Sequence, residues 1–235
     1  MRTNSEIVGL IQCWTCKTKS NTHEADICVE MVRFFLLQGY QQDQIVVLTP
    51  YVGQLMKIAI KLKMDIKETT AYVSDLDLQE MEEEEAVNTK DTGGRHGEKL
   101  KSIRCATIDN FQGEESDIVI ISLVRSNKTG NIGFLKEEQR VNVLLSRARY
   151  GLFLVGNSQT LLSSKMGKHV WSPLLDMMRS KGQILKGLPS LCQLHPSDET
   201  ILLCQPSDFR KNRPNGGCSR PCQYRMECGH ACYQG

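Results

Sequence analysis

Apolar residues recur along the chain in two periods, and the switches between them outline strands interleaved with helices. Over 22–38, Ile27, Met31, Phe34, Phe35 and Leu37 fall mostly at helical spacing, which predicts an amphipathic helix with Thr22 as N-cap and Gly39 as stop. The β-branched run over 45–48 is followed by Pro50, the pattern of a buried parallel strand ending in a loop. A second helix is expected over 51–62. Strands follow over 103–108 and 118–124, the second with the uninterrupted apolar composition of a central strand. Val141, Leu144, Leu145 and Ala148 place a helix over 139–149, a strand is expected over 151–155, and a closing helix over 171–179. Helices between strands imply an α/β fold with a mostly parallel sheet, helices on both faces, and ligands at the carboxyl ends of the strands.

Two stretches interrupt this pattern. Residues 75–85 hold seven acidic side chains and no basic one, and Gly93, Gly94 and Gly97 follow. This reads as an exposed, mobile insert over about 75–101, more often a solvated charge run than an acidic mimic of nucleic acid. From 182 to 217 the periodicity fades into a linker with Pro189, Pro196, Pro206 and Pro214, and residues 1–19 fit no element.

Composition changes the picture only in part. With 40% hydrophobic and 24% charged residues in 235 positions, the chain can bury one ordinary core and add a small module. A net charge of +2 means that nucleic acid, if bound, is met by a local basic surface or by backbone dipoles. The start lacks the apolar core of a signal peptide, and no run has the length of a membrane span. An intracellular, reducing setting is expected, where ten cysteines argue for metal ligands or buried thiols rather than disulfides.

Five of the last eighteen positions are Cys or His: Cys218, Cys222, Cys228, His230 and Cys232. Thiolates and an imidazole at such spacing suit tetrahedral zinc. Cys192 and His195, with Cys204, are an earlier candidate set, against a solvent-facing His195. Cys13 and Cys16 form a lone C-x-x-C with no second pair, and His23 and His169 have no partner pattern.

The segment T-I-D-N-F-Q-G-E-E-S-D-I-V-I-I-S from Thr107 joins a strand, a polar turn and a second strand. The turn resembles motif V of Upf-type superfamily 1 helicases. G-F-L-K-E-E-Q-R-V-N-V-L-L-S-R-A-R-Y-G from Gly133 resembles their motif VI, and V-L-T-P-Y-V-G-Q-L from Val47 their motif IV. Three motifs in the family's order identify 20–181 as similar to the second, C-terminal RecA-like domain of such an RNA helicase. The C-G-H-x-C core of the tail resembles the opening of NFX-type zinc fingers, which follow an Upf-like motor in one branch of that family, so 218–235 is expected to begin a zinc-finger region.

The resemblance implies roles residue by residue. Arg147 matches the arginine finger, because a guanidinium stays charged and offers a planar fork to phosphate oxygens. Gln112 matches the residue coupling phosphate to the nucleic-acid groove, Glu115 the acceptor of ribose hydroxyls, and Gly113 and Arg140 further nucleotide contacts, with Asn142 near the same cleft. Thr49, Tyr51, Gln54 and Thr107 match groups that grip single-stranded RNA by its backbone. Neither a G-x-x-x-x-G-K-[ST] loop nor a strand ending in Asp-Glu occurs. ATP with Mg2+ is therefore expected to need a first RecA-like domain as partner, leaving this chain inactive alone. The location implied is cytoplasmic, with RNA granules or the nucleus also open. Two rival readings are a non-catalytic RNA-binding zinc scaffold and a DNA helicase of the same superfamily, since contacts to phosphate do not separate RNA from DNA.

Overall fold

The computed structural model describes residues 7–12, 20–66, 70–74, 77, 102–192, 195 and 199–218. Its strands are β1 (Ile7–Gln12), β2 (Ile45–Thr49), β3 (Thr70–Val73), β4 (Ser102–Thr107), β5 (Ser116–Ser122), β6 (Ala148–Gly156), β7 (Ile184–Leu185), β8 (Leu188–Ser190) and β9 (Ile201–Leu203). Its helices are α1 (Thr22–Leu37), α2 (Val52–Asp65), α3 (Glu138–Leu145), α4 (Ser158–Leu162), α5 (Lys168–Ser180) and α6 (Pro206–Asn212). Seven strands form one sheet in the order β3-β4-β2-β5-β6-β1-β7, and its pairings are parallel.

The alternation of the central strands divides the core between two faces. Ile45, Val47, Ile118, Ile120, Phe153 and Val155 pack toward α1 and α2, whereas Val46, Leu48, Val119, Ile121, Leu152 and Leu154 pack toward α3, α4 and α5. A strand covered on both sides favours apolar side chains at every position, which explains the continuous apolar run over 118–121 of β5. The expected α/β architecture is the observed one, a RecA-like sheet between helical layers.

Boundaries shift for local reasons. Asn21 rather than Thr22 caps α1, its side-chain oxygen accepting from the Glu24 amide at 3.2 Å, and Gly39 ends the turn at φ +92°. The helix expected over 139–149 stops at Leu145, and the next strand already begins at Ala148. Arg147 thus lies in the connection between α3 and β6 instead of on the helix.

Larger differences concern segments that carried no element in the sequence reading. β1, inside the unassigned 1–19, pairs with β6 on one side and β7 on the other. Residues 182–217, read as a linker, supply β7, the β8–β9 hairpin and α6. Phe209 of α6 is buried in the same core as α1, its ring 6.2 Å from that of Phe34. The acidic insert also has a structural start, for Asp77 is fully buried. The expected zinc-finger residues Cys222, Cys228, His230 and Cys232, together with Cys13 and Cys16, lie outside the described residues.

Candidate nucleotide and nucleic-acid site

After β4 a short 3-10 turn, Asp109–Phe111, leads through Gln112 and Gly113 into β5. Gly113 takes φ +83°, and nothing lies within 4 Å of the place a Cβ would occupy. Backbone conformation rather than space therefore favours glycine there. Gln112, Gly113, Glu114 and Glu115 are all exposed. Ser116 donates its amide to the Arg147 carbonyl at 3.0 Å, so this turn and the α3–β6 connection lie side by side at the amino ends of β5 and β6.

Arg147 is half-buried between them. Its Nε donates to the Val143 carbonyl at 2.8 Å and its Nη1 to the Glu114 carbonyl at 3.0 Å. The first of these acceptors lies in the last turn of α3, where a helix end favours a cation. Neighbouring arginines are differently employed. Arg149 reaches Glu115 at 2.6 Å and Asp117 at 3.6 Å, and the hydrogen bond it donates to Glu115 holds its guanidinium above the ordinary range. Arg140 pairs with Asp109 at 3.2 Å and Glu137 at 3.3 Å while lying 4.5 Å over the Phe134 ring. Arg104 pairs with Glu114 and lies over Phe111. Among the described residues Arg147 makes no ion pair. Asn142 is exposed and shares a cleft with His169 between α3 and α5.

The candidates for RNA contact sit elsewhere. Thr49 and Thr107 end β2 and β4 level with each other, at the carboxyl edge of the sheet. Seven residues of β5 separate this edge from the Glu115 turn, about 20 Å of extended chain. The expectation that ligands gather at the carboxyl ends thus fits one set of candidates and not the other.

Thr49, Tyr51, Gln54 and Thr107 are all buried, none more than 6% exposed. Gln54 accepts from the Asn21 amide at 2.7 Å and donates to the Asn21 carbonyl and to Ser122. Thr107 donates its hydroxyl to Asp77 at 2.7 Å. The Tyr51 hydroxyl accepts from Arg125 at 3.0 Å, and its ring lies 5.0 Å from that guanidinium and 5.6 Å from the Phe134 ring. Thr49 Oγ1 has no hydrogen-bond partner among the described residues.

Sequence reasoning missed the centre of this edge. Glu24, fully buried, accepts from Asn21 Nδ2 at 3.0 Å, from the Ser122 hydroxyl at 2.7 Å and from the Val124 amide at 2.7 Å. Burial pushes its carboxyl up to about 7, with these hydrogen bonds opposing the rise. A signal was present, because Glu24 stands on the same helical stripe as Ile27, Cys28 and Met31. A carboxylate on a buried stripe requires a reason.

This domain is of the helicase class, a RecA-like half with a motif-bearing turn at one sheet edge. The AAA domain family matches residues 5–159; the chain belongs to it, as a Upf1-like superfamily 1 helicase domain, and the match includes β1. NFX1-type zinc finger-containing protein 1 of Homo sapiens and of Mus musculus is 36% identical over 216 residues, 92% of this chain and 9% of either relative. Regulator of nonsense transcripts 1 of Dictyostelium discoideum is 35% identical over 177 residues, 75% of this chain and 11% of that protein. ATP-dependent helicase NAM7 of Saccharomyces cerevisiae is 31% identical over 194 residues, 83% of this chain and 16% of its own length. The chain therefore spans between 9% and 16% of these relatives. Among the described residues no helix is long and apolar enough to cross a membrane.

Proposed function

We propose that this chain is the second motor half of an ATP-dependent RNA helicase or translocase, with Arg147 as its arginine finger. The observation that carries this reading is the seating of Arg147 on two neutral carbonyls, in contrast to the carboxylate-paired Arg104, Arg140 and Arg149. A guanidinium fixed in direction by neutral acceptors keeps its positive charge and most of its N–H donors for an incoming phosphate. Gln112 and Gly113 expose the turn beside it, and Glu115 offers its carboxylate to ribose hydroxyls, held in place by Arg149. Arg140 ties α3 to the turn through Asp109. ATP with Mg2+ is shared with a first RecA-like domain, and bound ATP supplies the phosphoryl group whose transfer drives the motor.

Single-stranded RNA is assigned to the carboxyl edge. With their side chains buried, Thr49, Tyr51, Gln54 and Thr107 act by fixing the loops whose backbone meets phosphates. The choice of RNA draws on relatives named for nonsense transcripts and on others named for NFX1-type zinc fingers. The latter also support an NFX-type region from Cys218 onward that binds Zn2+ through Cys222, Cys228, His230 and Cys232. Cytoplasmic residence belongs to the same reading. Steady-state ATPase assays with saturating RNA, on a protein carrying both motor halves, test it: near-normal turnover in Arg147→Ala overturns the assignment.

A further inference from the structure

We infer that Cys192, His195 and Cys218 form a zinc site that clasps the end of this chain to the motor domain, separate from any site made wholly by the cysteine-rich tail. The Cys192 sulfur lies 3.4 Å and the Cys218 sulfur 3.2 Å from His195 Nδ1, and the three donor atoms fall within 4.8 Å of one another. Tetrahedral zinc with ordinary Zn–S and Zn–N bonds sets its donors at roughly 3.6 Å for sulfur to nitrogen and roughly 3.8 Å for sulfur to sulfur. The cluster is thus close to the spacing that a metal imposes. Its donors are soft, two thiols and an imidazole with no carboxylate among them, which selects zinc over magnesium or calcium. A water or another donor completes the tetrahedron.

The arrangement redraws both sequence-based ligand sets. Cys204, expected beside Cys192 and His195, instead turns its sulfur toward the Leu202 carbonyl at 3.7 Å. Cys218, expected with the tail, joins the earlier pair.

Contacts that owe nothing to a metal bring these ligands together. Cys192 follows β8 by two residues, and Cys218 follows α6 by six. Arg213, buried at the end of α6, donates to the Ser190 hydroxyl at 2.9 Å and to the Ser190 carbonyl at 3.3 Å. On the other side the chain before Cys218 is held to α1, where Arg33 donates to the Pro214 carbonyl and Gln38 to the Gly216 carbonyl, each at 2.7 Å. A site prepared in this way loses little further chain entropy on binding, so metal affinity is high and the metal's binding energy adds to folding. The consequence is a fixed joint: zinc locks the β8–β9 hairpin and the chain after α6 to each other and, through Phe209, to α1.

The test counts zinc per chain by elemental analysis in the full chain, purified without chelator. Cys192→Ser, His195→Ala and Cys218→Ser are each expected to lower the content by one relative to the unaltered chain, and Cys204→Ser to leave it unchanged. His195→Cys separates loss of a ligand from loss of folding, since it retains a zinc donor and is expected to keep the metal that His195→Ala loses. Unchanged zinc in Cys192→Ser and His195→Ala overturns the proposal. So does a chain that lacks this zinc and instead carries a Cys192–Cys218 disulfide in peptide mapping under non-reducing conditions.

Discussion

Glu24 accepts a 2.7 Å hydrogen bond from the amide of Val124, and that bond holds Val124 in a backbone conformation its side chain disfavours. Among the described residues it is Val124 alone, glycines apart, that takes a positive φ, 68°. For a β-branched residue this costs about 1–3 kcal/mol and persists only when surrounding contacts over-determine it. Here the Val124 carbonyl also accepts from Asn21 at 3.3 Å, and the side chain is fully buried. The carboxyl edge of β5 is therefore held by α1, so that the cap of one helix and the bend after a central strand are one construction.

Stability is expected to fall as pH rises from about 5 to about 7 because of Glu24. Its folded-state value stands near 7 against an ordinary 4.5, so between these values the folded chain holds a proton that the unfolded chain has released. The favourable contribution is complete below the unfolded value, declines through the window, and is lost above the folded one, amounting to about 3 kcal/mol. Denaturant unfolding at pH 5 and pH 8 measures it, and Glu24→Gln should remove most of the slope. Equal slopes in the two proteins would show that Glu24 titrates as a solvated carboxylate.

In a protein with both motor halves, Arg147→Ala should lower ATP turnover about a thousandfold while leaving nucleotide affinity largely intact. On the proposed reading, charge that develops during phosphoryl transfer is met by Arg147, whereas affinity resides in other contacts. Arg147→Lys should restore little, because one ammonium cannot hold both the Val143 and Glu114 carbonyls and still present a fork to phosphate. Glu115→Ala should instead raise the apparent Michaelis constant with less effect on turnover. Parallel nucleotide-binding and turnover measurements separate the two signatures.

Asp77→Ala should destabilise the chain by about 2–4 kcal/mol. Its carboxylate accepts from the Thr107 amide and hydroxyl, from Asn110 and from Ser74, and removal leaves several donors without an acceptor. A solvated member of an acidic run would cost less than about 0.5 kcal/mol. Chemical denaturation decides between these values.

Phe209→Ala should cost about 3–5 kcal/mol and raise amide exchange in α1. Its ring is fully enclosed against Phe34, a position that a flexible linker would not hold. Unchanged stability with unchanged exchange would mean that α6 does not dock in solution.

The helicase-family domain was legible in the sequence wherever one local pattern sufficed. Residues 45–48 and 118–121 announce buried parallel strands through unbroken apolar runs, because a strand covered on both faces favours apolar side chains at every position. The turn around Gly113 and the residues near Arg147 could be placed by motif, since their spacing is local. What only the tertiary structure decided depends on which distant segments meet. β1 has its apolar run broken by Gly9 and α6 is too short to show a period, and the partners of both lie far along the chain. Thr49 and Thr107 were readable as hydroxyl groups at strand ends, and Tyr51 and Gln54 as polar groups in the following turn, but the bonds of Gln54 to Asn21, Thr107 to Asp77 and Tyr51 to Arg125 join segments distant along the chain. Cysteine spacing grouped Cys218 with the tail, whereas Arg213 and the contacts of α1 carry it to His195. Spacing records neighbours along the chain, while a ligand set or a buried network is defined by neighbours in space, and long-range packing alone determines those.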